Sequence, residues 1–332
     1  MRRAGIFAIV AISIIASGVA VTAKAQTVDG WLDGYYAWNK DHPASGINWY
    51  RGIGTTAEHA DRLALNVAAF EIVRDPKPFG FHLTLVAGDS ADVVHLAEPN
   101  TNTRHIYQAS VTYDANVVQL EAGVYPSHIG FEGYFSKDNW NYTRGWLGEL
   151  SPYYQTGLKV SRTFNPHWSA QVHVLRGWQN ISASHAPKAL GTQIAYTGAN
   201  LSASFNTYID NHRKFGDLAA TYKATPKLSL GVSVDEGHQS PANWLGVSLW
   251  TRYAFDDRNA FAVRADRFRD PDHGISGFSQ TLDSQTLTYE LRPRKHLILK
   301  FEARRDHSTA PVFNNTTDQK LAIASAVVTF GS

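Results

Sequence analysis

Cysteine is absent from the sequence, and methionine occurs once. No disulfide can therefore stabilise the fold, which must rely on hydrogen bonding and burial alone. Beyond the N-terminal region no stretch approaches 18 consecutive apolar residues, which excludes a protein that crosses a membrane with helices. A Gly-rich phosphate loop, a His-x-x-x-His pair and an EF-hand-like acidic run are also lacking, so we expect no nucleotide, cofactor or metal site.

The sequence also has no large excess of positive or negative charge. The formal net charge is +2, and Arg2, Arg3 and Lys24 all lie within the first 25 residues. Without that region the charge becomes −1. A strongly basic surface is therefore not expected, and nucleic acid is not an expected partner.

The N-terminal region has the pattern of a secretory signal peptide. Two arginines precede an apolar run from Ile6 to Val21, and Ala23-Lys24-Ala25 follows as a small-x-small site. We expect cleavage after Ala25, which leaves residues 26–332 as a single domain. A retained anchor is the alternative, but the run is shorter than the roughly 20 residues that a spanning helix needs.

From Trp31 onward, stretches of about ten residues alternate between apolar and polar side chains. The clearest runs from Leu228 to Asp235, with Leu and Val on one face and Ser, Gly and Asp on the other. This period of two predicts strands with one face for lipid and one for water. Because Arg or Lys on a lipid face costs about 2–4 kcal/mol at mid-membrane, the charged positions are expected to face an aqueous interior.

The connections between these stretches alternate in length. Short turns rich in Pro, Gly, Asn and Asp, such as residues 75–78, 165–166 and 225–226, alternate with longer ones such as 39–61, 89–104 and 126–152. Short periplasmic turns and long external loops are typical of outer-membrane barrels. The sequence therefore predicts an all-β, antiparallel up-and-down transmembrane barrel of about 16 strands, a size that leaves an aqueous channel.

Aromatic residues near the predicted strand ends are candidates for two interfacial girdles. The alternative for each is ordinary packing within a strand. The candidates are Trp31, Tyr35, Tyr107, Tyr113, Tyr154, Phe164, Trp168, Tyr196, Tyr222, Trp244, Tyr253 and Phe255.

Three stretches in the middle of the chain are unlike generic loop sequence. They are residues 123–132 (GVYPSHIGFE), 139–144 (NWNYTR) and 151–157 (SPYYQTG). Together they resemble the β-barrel porin-2 family, and the resemblance is strongest over about residues 117–182. It implies an outer-membrane pore with poorly defined solute specificity.

The connection of residues 126–152 is the longest in the chain and follows the fifth predicted strand, where 16-stranded porins carry a constriction loop. We expect it to fold inward and narrow the pore; an external loop packed over the rim is the alternative. Charged groups at a narrowing set ion preference. The pore candidates are Lys137, Asp138, Arg144 and Glu149 in the loop and Arg264, Lys300 and Arg304 on strands, and the anchor candidates are Asn139, Trp140, Asn141 and Tyr142.

The expected function is an outer-membrane porin, a water-filled channel for passive diffusion of small hydrophilic solutes or ions. Outer-membrane lipid is the expected surrounding, and a homotrimer is an open expectation. A substrate-specific channel of the oligosaccharide type and a structural or adhesive barrel remain alternatives. An enzyme is not expected, because Ser127-His128 and the loop with Asp270, Asp272 and His273 have only sequence proximity in their favour.

Overall fold

The computed structural model describes residues 26–50 and 52–331. The predicted signal peptide, residues 1–25, lies outside the described residues. Two short helices, α1 (Asp89–Val94) and α2 (Trp146–Glu149), and two 3-10 turns, Thr101–His105 and Ser136–Asp138, interrupt an otherwise all-β chain. The strands are β1 (Thr27–Asn39), β2 (Leu63–Arg74), β3 (Phe79–Ala87), β4 (Ile106–Asp114), β5 (Gln119–Pro126), β6 (Tyr154–Thr163), β7 (Trp168–Arg176), β8 (Lys188–Thr197), β9 (Leu201–Ile209), β10 (Arg213–Lys223), β11 (Leu228–Gln239), β12 (Ala242–Ala254), β13 (Asn259–Asp270), β14 (Gln280–Arg294), β15 (Leu297–Ser308) and β16 (Asp318–Phe330).

Each strand pairs antiparallel with its neighbours in sequence, and β1 pairs with β16 to close the barrel. Closure leaves no sheet edge, so the backbone groups of every strand find partners along the wall. The predicted fold class and the strand number are confirmed. Among the described residues no helix is long and apolar enough to cross a membrane.

The two faces of the strands differ as the period of two predicts. On β11, Leu230 is 40% exposed on the outside, whereas Ser233 and Asp235 are buried inside. On β13, Val263 faces outward and Arg264 inward. Charged side chains are therefore found in the interior of this wall, and apolar side chains make up most of its outer face away from the long connections.

Aromatic side chains form a girdle at the rim of the short turns. Phe164, Trp168 and Tyr253 are exposed there, and neighbouring rings touch, with 5.0 Å between the ring centres of Trp168 and Tyr196. The prediction was wrong for five of the candidates, because they lie on the inward face of their strands in step with polar neighbours such as Asp33. These buried residues are Trp31, Tyr35, Tyr107, Tyr154 and Trp244.

The opposite rim carries the long connections, residues 40–62, 88–105 and 127–153. On the same rim the connections of residues 210–212 and 240–241 are short. The connection from β5 to β6, residues 127–153, is called the inner loop below. Most of its side chains are buried, including Tyr142 and Trp146 at 0% exposure, which places it inside the barrel.

Candidate functional site

The inner loop lies in the barrel interior and is attached to two groups of strands of the wall. On one side, the Gly130 amide donates to Asp217 of β10 at 3.0 Å, and the Ser151 hydroxyl donates to Asp235 of β11 at 3.1 Å. On the other side, the middle of the loop meets β13, β15 and β1. Both ends of the loop and its middle are therefore attached to the wall, and the loop divides the interior.

Three buried basic side chains of the wall hold the loop by its backbone carbonyls. Lys300 of β15 donates to the carbonyl oxygen of Ser136 at 2.7 Å. Arg304 of β15 donates to the carbonyl oxygen of Arg144 at 2.6 Å. Arg264 of β13 donates to the Thr143 carbonyl oxygen and pairs with Glu132 at 2.8 Å. These three basic side chains therefore anchor the loop to the wall.

Acidic side chains of the wall accept hydrogen bonds from N–H and O–H groups of the loop. Glu302 of β15 accepts from the Tyr142 amide at 2.6 Å and from the Thr143 amide at 3.1 Å, and it also accepts from the Thr143 hydroxyl. Asp33 of β1 accepts from the Ser136 hydroxyl at 2.6 Å and from the Tyr142 hydroxyl at 3.2 Å. Consecutive backbone groups of the loop thus meet charges of the appropriate sign.

The strength of this attachment follows from its burial. Hydrogen bonds to charged groups contribute about 1.5–3 kcal/mol each, and leaving one member of a buried ion pair alone costs about 3–5 kcal/mol. Arg264, Lys300 and Glu302 are each no more than 3% exposed. Several such contacts would have to break together for the loop to leave the interior. The loop is therefore a fixed part of the barrel interior.

Glycines make room for the loop where it touches the wall. A Cβ at Gly246 of β12 would lie 2.7 Å from the Leu147 side chain, and one at Gly145 would lie 2.5 Å from the Asp266 carboxylate. Both distances are well inside van der Waals contact. The sequence therefore uses glycine on both partners to allow this close approach.

The predicted charged residues of the loop have different surroundings. Lys137 and Asp138 pair with each other at 2.8 Å, and Lys137 lies 4.5 Å from the centre of the Trp31 ring. Arg144 is buried between the rings of Tyr134 and Tyr153. Glu149 accepts from the Gly54 amide at 3.0 Å and from the Thr55 hydroxyl at 2.8 Å. The structure does not bring these four side chains into direct ion pairs with Arg264, Lys300 or Arg304.

The predicted anchor residues contact the wall in part. Asn141 donates to the Thr288 hydroxyl at 2.7 Å, and Tyr142 contacts both Glu302 and Asp33. Asn139 offers its carbonyl oxygen to Lys300, while its side chain binds Gly133 within the loop. Trp140 stacks edge-on against Phe131 of the same loop, with 5.4 Å between ring centres, so it stabilises the loop itself.

Five acidic residues that hold the loop were not among the predicted site residues. They are Asp33, Glu132, Asp217, Asp235 and Glu302. Four of them are on strands, at positions that the apolar and polar alternation already assigns to the interior. Their contact with the loop could not be predicted, because it depends on the path of an irregular segment.

Beside its contact with Asp217 of β10, the inner loop leaves a cavity against the interior wall of β8–β10, which carries small polar and apolar side chains. Ser202, Ser204 and Thr221 line a cavity of about 310 Å³ together with Gly130 and Phe131 of the inner loop. The Phe131 ring lies against Trp250, with 4.3 Å between ring centres. Uncharged hydroxyl groups therefore face the space that the loop leaves on this side.

A few ion pairs of the interior are partly exposed. Lys159 pairs with Glu121 at 2.5 Å and Arg252 with Glu290 at 3.2 Å, and the two basic side chains are 18% and 28% exposed. Such groups meet interior water, in contrast to the buried loop anchors. Arg292, which also pairs with Glu290 at 3.0 Å, is 44% exposed.

At the long-loop rim, Glu58 lies beside His59 and Asp89. One donor atom from each of these residues lies within 4.8 Å of the others, the spacing of a group that could hold a metal ion. Burial, followed by repulsion from Asp89 and Asp92, raises the pKa of Glu58 from 4.5 to about 7. The carboxyl group therefore titrates near neutral pH.

The two sequence pairs considered for enzyme chemistry have local structural contacts. The Ser127 hydroxyl accepts from the Ile129 amide, while the His128 ring contacts the Gln155 side chain and the Thr207 carbonyl oxygen. Asp270 accepts from the amides of Gly274, Ile275 and Ser276. These contacts account for the residues as parts of a loop and a turn.

The family model described as "Putative beta-barrel porin-2, OmpL-like" matches residues 26–330. The chain belongs to this family. The β-barrel porin-2 match thus covers the whole described barrel, including the three stretches that carry the resemblance in the sequence. No curated protein matches the chain in sequence.

Solved porin structures share the fold of this β-barrel porin-2 member. OprB of Pseudomonas putida, in its high-pH structure, has a TM-score of 0.63 at 13% identity over 92% of this chain and 94% of that one. The anion-selective porin from Comamonas acidovorans has a TM-score of 0.60 at 11% identity over 92% and 99%. The outer membrane channel DcaP of Acinetobacter baumannii has 0.58 at 12% over 92% and 97%. At these identities the likeness shows the fold.

Proposed function

We propose that the protein is an outer-membrane porin in which small hydrophilic solutes or ions diffuse past the fixed inner loop. The observation that carries the proposal is the loop itself, held inside a closed 16-stranded barrel by buried charged contacts with two groups of strands. A barrel of this size would otherwise leave a wide aqueous channel. The loop reduces the cross-section to the space that remains between the loop and the wall.

The chemistry of that space favours general diffusion over tight binding of one substrate. The wall of β8–β10 offers hydroxyl groups, and the partly exposed basic side chains Lys159 and Arg252 are each held by a carboxylate of the wall, Glu121 and Glu290. Interior aromatic residues such as Trp49, Trp146 and Trp244 are buried. They are not arranged as a free surface on which a sugar ring could stack, which supports a porin over an oligosaccharide channel.

The experiment is planar-bilayer recording of the purified full-length barrel. We expect steady current proportional to voltage, with little block by added small sugars. Saturable block by one sugar at low concentration would point to a substrate-specific channel. Absence of current from a correctly folded barrel would mean that it serves as an anchor and would overturn the proposal.

Export and orientation belong to the same proposal. The signal peptide of residues 1–25 is removed after Ala25, both termini and the short turns lie in the periplasm, and the long-loop rim faces outward. The aromatic girdle at the short-turn rim supports an interfacial position there. Mass spectrometry of the protein from the outer-membrane fraction should give a chain that starts at Gln26; a retained N-terminus would contradict this.

A homotrimer is proposed for the assembled state. Near the long-loop rim the outward positions of β2 and β3 are uncharged, and Leu63, Leu65 and Leu85 are exposed there. An uncharged wall can approach a second barrel without desolvating charge. Native mass spectrometry in mild detergent should give three times the mass of the mature chain, and the monomer mass alone would contradict the trimer.

A further inference from the structure

The outer wall of β13–β16 has charged residues among its outward-facing positions, toward the long-loop rim. Arg267 of β13 lies directly across from Asp283 of β14, and Arg305 of β15 lies directly across from Lys320 of β16. The side chains of Arg267 and Arg305 are 65% and 55% exposed. These residues point away from the interior, so they have no place in the path of a solute.

The patch has a surplus of positive charge. Lys40, Arg269 and Lys320 are exposed beside Arg267 and Arg305. The carboxylates that pair with these cations are Asp283, at 3.7 Å from Arg267, and Asp318, at 3.2 Å from both Arg305 and His307. The cations therefore outnumber the anions, and part of their hydrogen-bonding capacity is left for a ligand.

Two grooves lie on this wall, one that includes residues of the patch and one beside it. One, of about 610 Å³, is lined by Arg267, Arg305 and His307 at its charged end and by Val247, Leu249 and Ala265 at its apolar end. The second, of about 510 Å³, has alanines at its base and aromatic residues at its sides. Its residues include Ala303, Ala322, Ala324, Trp38, Tyr289 and Phe301.

The register places the charged and apolar parts next to each other. Arg305 pairs with Lys320, and the row two residues along toward the short turns is Ala303 with Ala322. A molecule that reaches both rows must have a strongly anionic head and an apolar chain. Outward positions of β2 and β3 at the same rim are apolar instead, so the arrangement is a property of one side of the barrel.

We propose that this wall binds a phosphorylated lipid of the outer leaflet, with a phosphate on Arg305 and Lys320 and an acyl chain in the alanine groove. Guanidinium and ammonium groups recognise phosphate, Arg in a bidentate manner. Basic clusters at the level of lipid headgroups attract anionic lipid, while the groove contributes apolar burial. The inference rests on the proposed outward orientation of the long-loop rim.

The test is native mass spectrometry of the intact, delipidated barrel titrated with diphosphorylated lipid A, its dephosphorylated form and phosphatidylcholine. We expect the diphosphorylated lipid to bind preferentially. The double variant Arg305→Gln/Lys320→Gln should weaken that binding roughly 30-fold, because each cation near an anionic lipid contributes about a five-fold factor. Ala322→Phe, which fills the groove and leaves the charge unchanged, should weaken it as well.

Arg176→Gln/Lys188→Gln is the matched control. These two residues also face each other on neighbouring strands near the long-loop rim, on another part of the wall. Binding should stay at the wild-type level in this variant and in excess inorganic phosphate. Equal losses in both double variants, displacement by inorganic phosphate, or equal binding of the three lipids would overturn the lipid site.

The outcome can be separated from the proposed channel function. Because Arg305 and Lys320 lie outside the barrel, single-channel conductance of their variant should equal that of the wild type. Loss of lipid binding with unchanged conductance supports the site. Unchanged lipid binding overturns it, whatever the conductance shows.

Discussion

Glu302 carries as much of the loop attachment as Lys300, although it was not among the predicted site residues. Its carboxylate accepts from two consecutive amides, those of Tyr142 and Thr143, and from the hydroxyl groups of Thr143 and Thr288. An amide side chain in its place would present only one acceptor oxygen to these donors. The other donors would then be buried without a partner.

We therefore predict that Glu302→Gln lowers the stability of the folded barrel by about 1–3 kcal/mol and makes the channel current noisier. Folded barrel can be followed by its heat-dependent mobility in SDS gels, and noise by single-channel recording. Glu121→Gln is the control, since Glu121 binds Gln108, Ser110 and Lys159 of the wall. If both variants are equally noisy, Glu302 has no special role.

Glu58 gives a prediction about pH at the long-loop rim. Its pKa is raised to about 7 by burial and by Asp89 and Asp92, so the folded protein binds this proton more tightly than the unfolded chain does. The stabilisation of the folded protein by this proton is fully present below about pH 4.5 and is lost as the pH rises to about 7. Glu58→Gln removes the titration.

The measurement is the melting temperature of the folded barrel at about pH 5 and about pH 8. The wild type should melt at a lower temperature at the higher pH, and this difference should be smaller in Glu58→Gln. Asp256→Asn at the short-turn rim, where the carboxylate is exposed, serves as the control. An unchanged pH difference in Glu58→Gln would show that another group titrates.

At the scale of elements, the strands could be predicted and the inner loop only in outline. The strands follow from a period of two and from Pro, Gly, Asn and Asp turns, which are local properties. The inward fold of residues 126–152 was expected from length and position. Its attachment through the carbonyl oxygens of Ser136, Thr143 and Arg144 could not be expected, because backbone contacts of an irregular segment leave no pattern in side-chain type.

The faces of β11 can be tested with cysteines, since the chain has none of its own. Ser229 and Leu230 are neighbours on opposite faces of the strand. Ser229→Cys should react with a water-soluble maleimide in the assembled barrel, and Leu230→Cys should be protected by lipid or detergent. The reverse order of reactivity would show a register shifted by one residue.

At the scale of the whole molecule, the sequence predicted the closed barrel correctly and the aromatic girdles partly. Alternation fixes which positions share a face, and it should have placed Trp31 and Tyr35 with Asp33 on the inward side. The prediction assigned these residues to a girdle only because they lie near the ends of predicted strands. Aromatic residues inside, such as Trp31 beside Phe135 at 4.5 Å between ring centres, pack against the loop that fills the interior.

The same loop explains how the interior of a 16-stranded barrel is narrowed. The wall supplies charges of both signs, Arg264, Lys300 and Arg304 as well as Asp33 and Glu302, and the loop occupies them with hydrogen bonds and shields them from water. A passing solute then meets the hydroxyl-lined side and the partly exposed ion pairs. Without the loop, the three basic side chains would be exposed to water.

The most direct measurement is single-channel recording of a variant that lacks residues 132–148. We predict a several-fold rise in conductance, because the loop no longer crosses the interior, and a changed ion preference, because the deletion exposes the charged wall residues that hold the loop, both basic and acidic. Heat-dependent gel mobility must first show that the variant is folded. A folded deletion variant with wild-type conductance and wild-type ion preference would contradict the claim that the inner loop sets the size and charge of this channel.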